Sequence, residues 1–207
     1  MNYFITGTDT GVGKTFFTAL LTRAARQAGL DTAALKPLCC GPREDVHILR
    51  AAAGGELSVE EINPVFFDLP VAPLVAAREE NRTVNLPELG AWFAALRPQR
   101  KSWLVEGAGG WLVPVTETQT VADLAVLLGL PVLVVVANRL GCLNHTLLTV
   151  ESIRARGLTC AGLVLNTLSE EPSVAAATNK TILQDCCDVP ILFELRPGQQ
   201  RLEIARV

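Results

Sequence analysis

Asn2-Tyr-Phe-Ile-Thr-Gly7-Thr-Asp-Thr-Gly-Val-Gly13-Lys14-Thr15 opens the chain and decides how the rest is read. Tyr3 to Thr6 is a short β-prone run that breaks at Gly7, and a turn-rich loop follows. Order returns at Lys14, with Phe16, Phe17, Leu20, Leu21 and Ala24 at helical spacing. Strand, loop and helix in this order make a phosphate cradle. Glycines let backbone N–H groups approach an anion closely, and a helix starting near Gly13 adds roughly half a positive charge at its N-terminus. Lys14 then reaches the β- and γ-phosphates of a nucleotide, and the Thr15 hydroxyl ligates Mg²⁺. A standard Walker A loop places its first glycine where this chain has Thr8, and Gly7 stands one position earlier, so the loop is a variant. A chance Gly-x-Gly-Lys-Thr on a surface loop is the alternative. The strand before it and the amphipathic helix after it favour nucleotide binding.

The chain has 207 residues, enough for one domain with a substantial core and too few for two comfortable ones, so residues 1–207 are read as a single P-loop domain. Hydrophobic residues make up 49% and charged residues 19%, which favours a sheet buried on both faces. A net charge of −3 gives no long-range attraction to nucleic acid or to an anionic membrane, leaving small-molecule chemistry as the expectation. The most apolar run, Leu124 to Ala137, is interrupted by Gly129 and Pro131, and a membrane-spanning helix needs ~20 apolar residues. No basic region followed by an apolar one opens the chain, and a cytoplasmic location is expected. Cys39, Cys40, Cys142, Cys160, Cys186 and Cys187 form no C-x-x-C pair, so reduced thiols are expected and a zinc site is not.

Strand and helix alternate along the chain. Strands are read at Thr32–Leu35, Ile62–Phe67, Ser102–Glu106, Pro131–Ala137, Leu158–Leu165 and Val189–Phe193, and helices at Glu44–Ala53, Leu74–Glu80, Leu86–Leu96, Thr120–Leu128, Leu143–Arg156 and Ser173–Cys187. Leu38 to Arg43 is read as a loop, Phe67 to Pro73 as a rigid proline-bearing connector, and the tail from Glu194 is left unassigned. The pattern predicts an α/β fold: a doubly wound, mainly parallel sheet with helices on both faces, of the P-loop NTPase type.

Several residues sit where such sheets bind ligands, beyond the carboxyl ends of strands. Lys36 leaves the second strand, either solvated or facing a ligand. Asp45 either complements its helix dipole or serves the site. Glu106 ends a buried strand and runs into Gly107-Ala-Gly-Gly110. There it either caps a loop amide or holds Mg²⁺ in a Walker-B-like position, while Gly109 and Gly110 give substrate close access to backbone. Asn144 is equally an ordinary helix cap and a carboxylate site. His47 and His145 have no adjacent acid or nucleophile and are read as packed or surface residues.

Taken together, Thr6-Gly-Thr-Asp-Thr-Gly-Val-Gly-Lys-Thr15, Lys36-Pro37, Phe67-Asp-Leu-Pro-Val-Ala-Pro73, Val105-Glu-Gly-Ala-Gly-Gly110 and Leu140-Gly-Cys-Leu-Asn-His145 resemble dethiobiotin synthetase over nearly the whole chain. The resemblance implies an ATP- and Mg²⁺-dependent ring closure on 7,8-diaminononanoate and CO₂. It implies nucleotide contacts from Thr8, Asp9, Thr10, Gly11, Val12, Gly13, Lys14 and Thr15, with Asn166 reading the adenine. Lys14 and Lys36 are implied to bind phosphate oxygens, Lys36 also steadying a carbamate. Thr15, Asp45 and Glu106 match metal ligands, and Thr10 matches a substrate-pocket residue. A homodimer is implied, with Cys142, Leu143 and Asn144 taking the substrate carboxylate from the partner subunit. This chain has Cys40 where the family has a substrate-contacting serine, Leu74 where it has histidine, a short loop from Gly41 to Arg43, and Phe193-Glu-Leu-Arg196 in place of a Gly-x-Ile-Pro pattern. A partition-type switch ATPase is the competing reading, but its signature lysine would fall on Asp9. The amidation enzyme of corrinoid synthesis would need an additional glutaminase domain.

Overall fold

The computed structural model describes residues 1–171 and 173–204. β1 (Asn2–Gly7) lies at the centre of a six-stranded sheet and feeds through the glycine loop into α1 (Lys14–Gln27). The chain continues through β2 (Thr32–Leu35), β3 (Leu38–Cys40), α2 (Glu44–Ala52), α3 (Val59–Ile62), β4 (Val65–Phe67), α4 (Pro73–Glu79), α5 (Leu86–Leu96) and β5 (Ser102–Glu106). It ends with α6 (Val121–Leu128), β6 (Val132–Ala137), α7 (Cys142–Ala155), β7 (Cys160–Asn166), α8 (Val174–Cys186) and β8 (Ile191–Leu195). The order across the sheet is β2-β5-β1-β6-β7-β8, with every neighbouring pair parallel.

The sheet is covered on both faces because successive strand residues point to opposite sides. Phe4, Val105 and Val134 join one core with residues of α5, α6 and α7, while Ile5, Leu104 and Val135 join another with Phe17, Leu20 and Leu21 of α1. All six residues of β6 are buried, which is why its sequence is uniformly apolar instead of alternating. Register places Ile5 beside Glu106 and Leu35 beside Val105, so β1, β5 and β2 end at the same edge. The phosphate loop, Glu106 and Lys36 are thereby carried to one rim of the sheet.

Two segments depart from the sequence reading. Leu38–Cys40 is a strand, paired in parallel with Val65–Phe67 as a small second sheet. Ile62 to Phe67 is not one strand, because Ser58 and Glu61 form a reciprocal capping box that starts a helical turn ending at Ile62. Asn63 then donates to the Lys36 and Val65 carbonyls, and Pro64 has no N–H to continue a ladder. The last strand begins at Ile191, beyond Pro190, whose carbonyl accepts from the Leu163 N–H. In the tail, Leu202 and Ile204 pack against the core that α1 shares with the sheet.

Candidate active site

The phosphate loop is fixed from two neighbouring strands. The Thr8 N–H donates to the Val135 carbonyl of β6 at 3.0 Å, and the Asn166 amide, at the end of β7, donates to the Val12 carbonyl at 2.9 Å. Gly7 is required by close approach: a Cβ there would lie 2.6 Å from the Val12 side chain and 2.9 Å from the Asp9 carbonyl. Gly13 is required twice over. Its φ of +92° lies in the left-handed region, and a Cβ would sit 2.2 Å from the Asn166 amide nitrogen. Gly13→Ala is therefore expected to cost at least ~1 kcal/mol of stability and to weaken nucleotide binding by distorting the loop, measurable by thermal unfolding and ATP titration.

Lys14, in the first turn of α1, is 7% exposed and lies back over the loop, its ammonium donating to the Asp9 carbonyl at 3.2 Å. The first turn of α1 carries no acidic residue, so the helix N-terminus keeps its positive potential for an anion. Burial lowers the Lys14 pKa below its ordinary 10.5, only partly offset by Glu106. Lys36, 6% exposed, is driven the other way: burial opposes its charge, but Glu106 and Asp45 outweigh burial and raise the pKa.

Glu106 is the hub. It is fully buried, and its Oε1 accepts from the Thr15 hydroxyl at 2.7 Å and from the Lys36 ammonium at 2.7 Å. Lys36 also donates to Asp45 Oδ2 at 2.5 Å. Glu106 Oε2 is buried without a hydrogen-bond partner among the described residues. An orphaned carboxylate oxygen costs about 1–3 kcal/mol, a cost that a bound cation removes. Among the described residues no group of three or more His, Cys, Asp or Glu is placed to hold a metal. Two carboxylates and a hydroxyl suit Mg²⁺ nevertheless, because that ion fills its shell with water and substrate phosphates. Thr15, Asp45 and Glu106 thus fit magnesium and suit a zinc-type cage poorly.

These groups face a cavity of about 580 Å³ that Thr10, Gly11, Gly13, Cys40 and Gly109 also line. The connector Pro70 to Pro73 forms another wall, a contribution the sequence reading missed. The signal was present in its prolines and in Gly41, where a Cβ would come within 2.8 Å of Pro70. Val113 and Ala108 close the far side. The Cys40 thiol is pushed up to about 11 by burial, so it is neutral near pH 7 and no nucleophile.

Other expected residues lie elsewhere. Thr8, Asp9 and Gly110 line a second cavity of about 390 Å³, together with Trp111, Leu112, His145 and Leu148. Cys142 is buried at the start of α7, Leu143 is partly buried and Asn144 is exposed, and none of the three lines the first cavity. Val12 and Asn166 are buried at the base of the loop and also stand outside that cavity. His47 and His145 are exposed, and all six cysteines are free thiols.

A central parallel strand, a glycine loop, a buried lysine opening the next helix and a carboxylate ending the adjacent strand define a P-loop nucleotide-binding protein. A family model described as an AAA domain matches residues 1–200. The ATP-dependent dethiobiotin synthetase BioD of Akkermansia muciniphila is 41% identical over 203 residues, covering 98% of this chain and 95% of that protein. The protein of the same name from Anaeromyxobacter dehalogenans strain 2CP-C is 50% identical over 177 residues, covering 83% and 79%. The chain belongs to this P-loop family and, within it, to the ATP-dependent dethiobiotin synthetases.

Among solved structures, the septum site-determining protein MinD from Pyrococcus horikoshii, complexed with Mg-ADP, aligns with a TM-score of 0.59 at 20% identity, covering 96% of this chain and 82% of that one. A ParA family ATPase from Chlorobium tepidum aligns at 0.56 and 10% identity, covering 96% and 85%. The partition-type switches are thus related to this chain by fold alone.

Proposed function

We propose that this chain makes dethiobiotin from 7,8-diaminononanoate, CO₂ and ATP, within one domain built from its whole length. One amine of the diamine adds to CO₂, giving a carbamate and releasing a proton. A carbamate oxygen attacks the γ-phosphorus of ATP, and ADP leaves with the electrons of the broken P–O bond. The second amine then attacks the activated carbonyl carbon, closing the ureido ring and expelling phosphate. The observation that carries this reading is the convergence of Lys14, Lys36 and the Glu106–Asp45 pair on one cavity of about 580 Å³, large enough for a triphosphate beside a small acid.

Phosphoryl transfer asks a protein mainly for positioning and charge. Loop amides from Thr10 to Gly13 and the Lys14 ammonium hold the phosphates. Thr15, Asp45 and Glu106 would hold magnesium, which would supply charge neutralisation at the transferring group. Lys36 steadies the carbamate against the γ-phosphate, Thr10 and Gly109 border the diamine, and Asn166 orders the loop against the base. Cys40, lacking a strong donor, leaves substrate orientation to the other groups.

The substrate carboxylate would be taken by Cys142, Leu143 and Asn144 of a second copy. The placement of these residues outside their own chain's cavity supports this reading. So do Leu112, Leu140 and Leu148, exposed by 52%, 88% and 57% in the same region, an apolar surface that a partner subunit would cover. Among the described residues no helix is long and apolar enough to cross a membrane. We place the reaction in the cytoplasm.

Phosphate release from ATP is expected to require both the diamine and bicarbonate. Equal turnover without the diamine would reject the synthetase reading. Asn144→Ala is expected to raise KM for the diamine by about 10-fold or more, the worth of a hydrogen bond to a charged group, with KM for ATP unchanged. Equal effects on both constants would move the carboxylate site elsewhere.

A further inference from the structure

We propose that Lys36 is an internal counter-ion of the metal site: without nucleotide its ammonium stands in for the cation, and divalent metal enters only when a phosphate draws Lys36 away. This inference rests on the nucleotide and metal reading given above. The ammonium lies 2.5 Å from Asp45 Oδ2 and 2.7 Å from Glu106 Oε1, bridging the two carboxylates that fit magnesium. The Thr15 hydroxyl spends its proton on the same Glu106 oxygen. Lys36 therefore occupies one oxygen of each carboxylate, and Glu106 Oε2 is left buried without a hydrogen-bond partner among the described residues.

A divalent ion joining both carboxylates while Lys36 remained would place like charges at contact distance in a buried setting, where repulsion is poorly screened. Lys36 has little freedom to evade this. Its N–H donates to the Ile62 carbonyl and its own carbonyl accepts from Asn63, so the backbone is pinned on both sides. With the side chain 8% exposed, the open direction is along the cavity toward Lys14 and the phosphate loop. Moving there unaided would bring two ammonium groups together. A terminal phosphate between them turns that repulsion into two attractions. Nucleotide and metal must then strengthen each other's binding through Lys36, a reciprocal coupling whose usual size is about 5–150-fold.

The test measures Mn²⁺ binding by paramagnetic resonance, with and without a non-hydrolysable ATP analogue, on the full chain and on Lys36→Met and Lys36→Arg. Without nucleotide, Lys36→Met is expected to bind Mn²⁺ about 10-fold or more tightly than wild type. Lys36→Arg, which keeps the charge, is expected to stay with wild type. Equal Mn²⁺ affinities in wild type and Lys36→Met would overturn the proposal, while tight binding of Mn²⁺ with the analogue would leave the nucleotide site standing. Failure of wild type to bind Mn²⁺ with the analogue would instead reject the functional reading. Should Lys36→Met not fold, the ¹⁵N resonance of the wild-type Lys36 ammonium decides the matter. Its position is expected to hold in millimolar Mg²⁺ alone and to shift when Mg²⁺ and the analogue are added together. Displacement by Mg²⁺ alone would overturn the counter-ion role.

Discussion

Lys14→Met is expected to lower kcat by about 100-fold or more while leaving thermal stability equal to or above wild type, the loss being that of one preorganised donor to the transferring phosphoryl group. The two effects have opposite signs for one reason. Lys14 is buried over the phosphate loop, and among the described residues its ammonium hydrogen-bonds only to a backbone carbonyl, so without an anion its charge is poorly compensated. A lysine whose folded pKa lies below the ordinary 10.5 destabilises the folded state while charged, and that cost is relieved as pH rises toward 10.5. Methionine fills the same space without the charge. Steady-state kinetics and melting curves at pH 7 check both halves. An activity loss below 10-fold would mean that Lys14 does not meet the phosphates.

Glu106→Gln is expected to fail in both respects. The change removes the charge that neutralises Lys36, leaving the ammonium with Asp45, which is partly exposed. Breaking a buried ion pair by removing one partner costs about 3–5 kcal/mol, and the surviving Asp45 contact points to the lower end. It also removes the carboxylate that fits magnesium, so Mg²⁺-dependent turnover should fall by about 100-fold or more. Urea unfolding and metal-dependent kinetics measure the two effects separately. Unchanged stability would contradict the role of Glu106 as the hub of the charge cluster.

The opposite responses of these two buried groups describe how the site is organised. Glu106 and Lys36 compensate each other inside the folded protein, whereas Lys14 waits for a ligand to do so. Strain and uncompensated charge of this kind are what a binding site stores, at the expense of stability.

Much of the fold could be read from local signals. β1 to α1 announces itself by a β-prone run, glycines and a helical period, and β6 by an unbroken apolar run that only a strand buried on both faces tolerates. Failures fell where local cues compete. Ile62 looks like the start of a strand but is drawn into a helical turn by the Ser58–Glu61 capping box, and the short strand at Leu38–Cys40 depends on a partner distant in sequence, Val65–Phe67. The wall at Pro70 to Pro73 read as a connector because prolines report rigidity and are silent about which cavity a rigid segment borders.

Sequence by itself determined the alternation of strand and helix, the phosphate loop and the family, because each is written in residues that are close neighbours or in order along the chain. Only the tertiary structure decided that Lys36, Asp45 and Glu106 form one charge cluster with Thr15, and that one oxygen of Glu106 is left without a partner. The reason is physical: charges separated along the chain interact only after parallel pairing of β2, β5 and β1 brings their strand ends to one buried rim, where burial sets the sign and size of every contact.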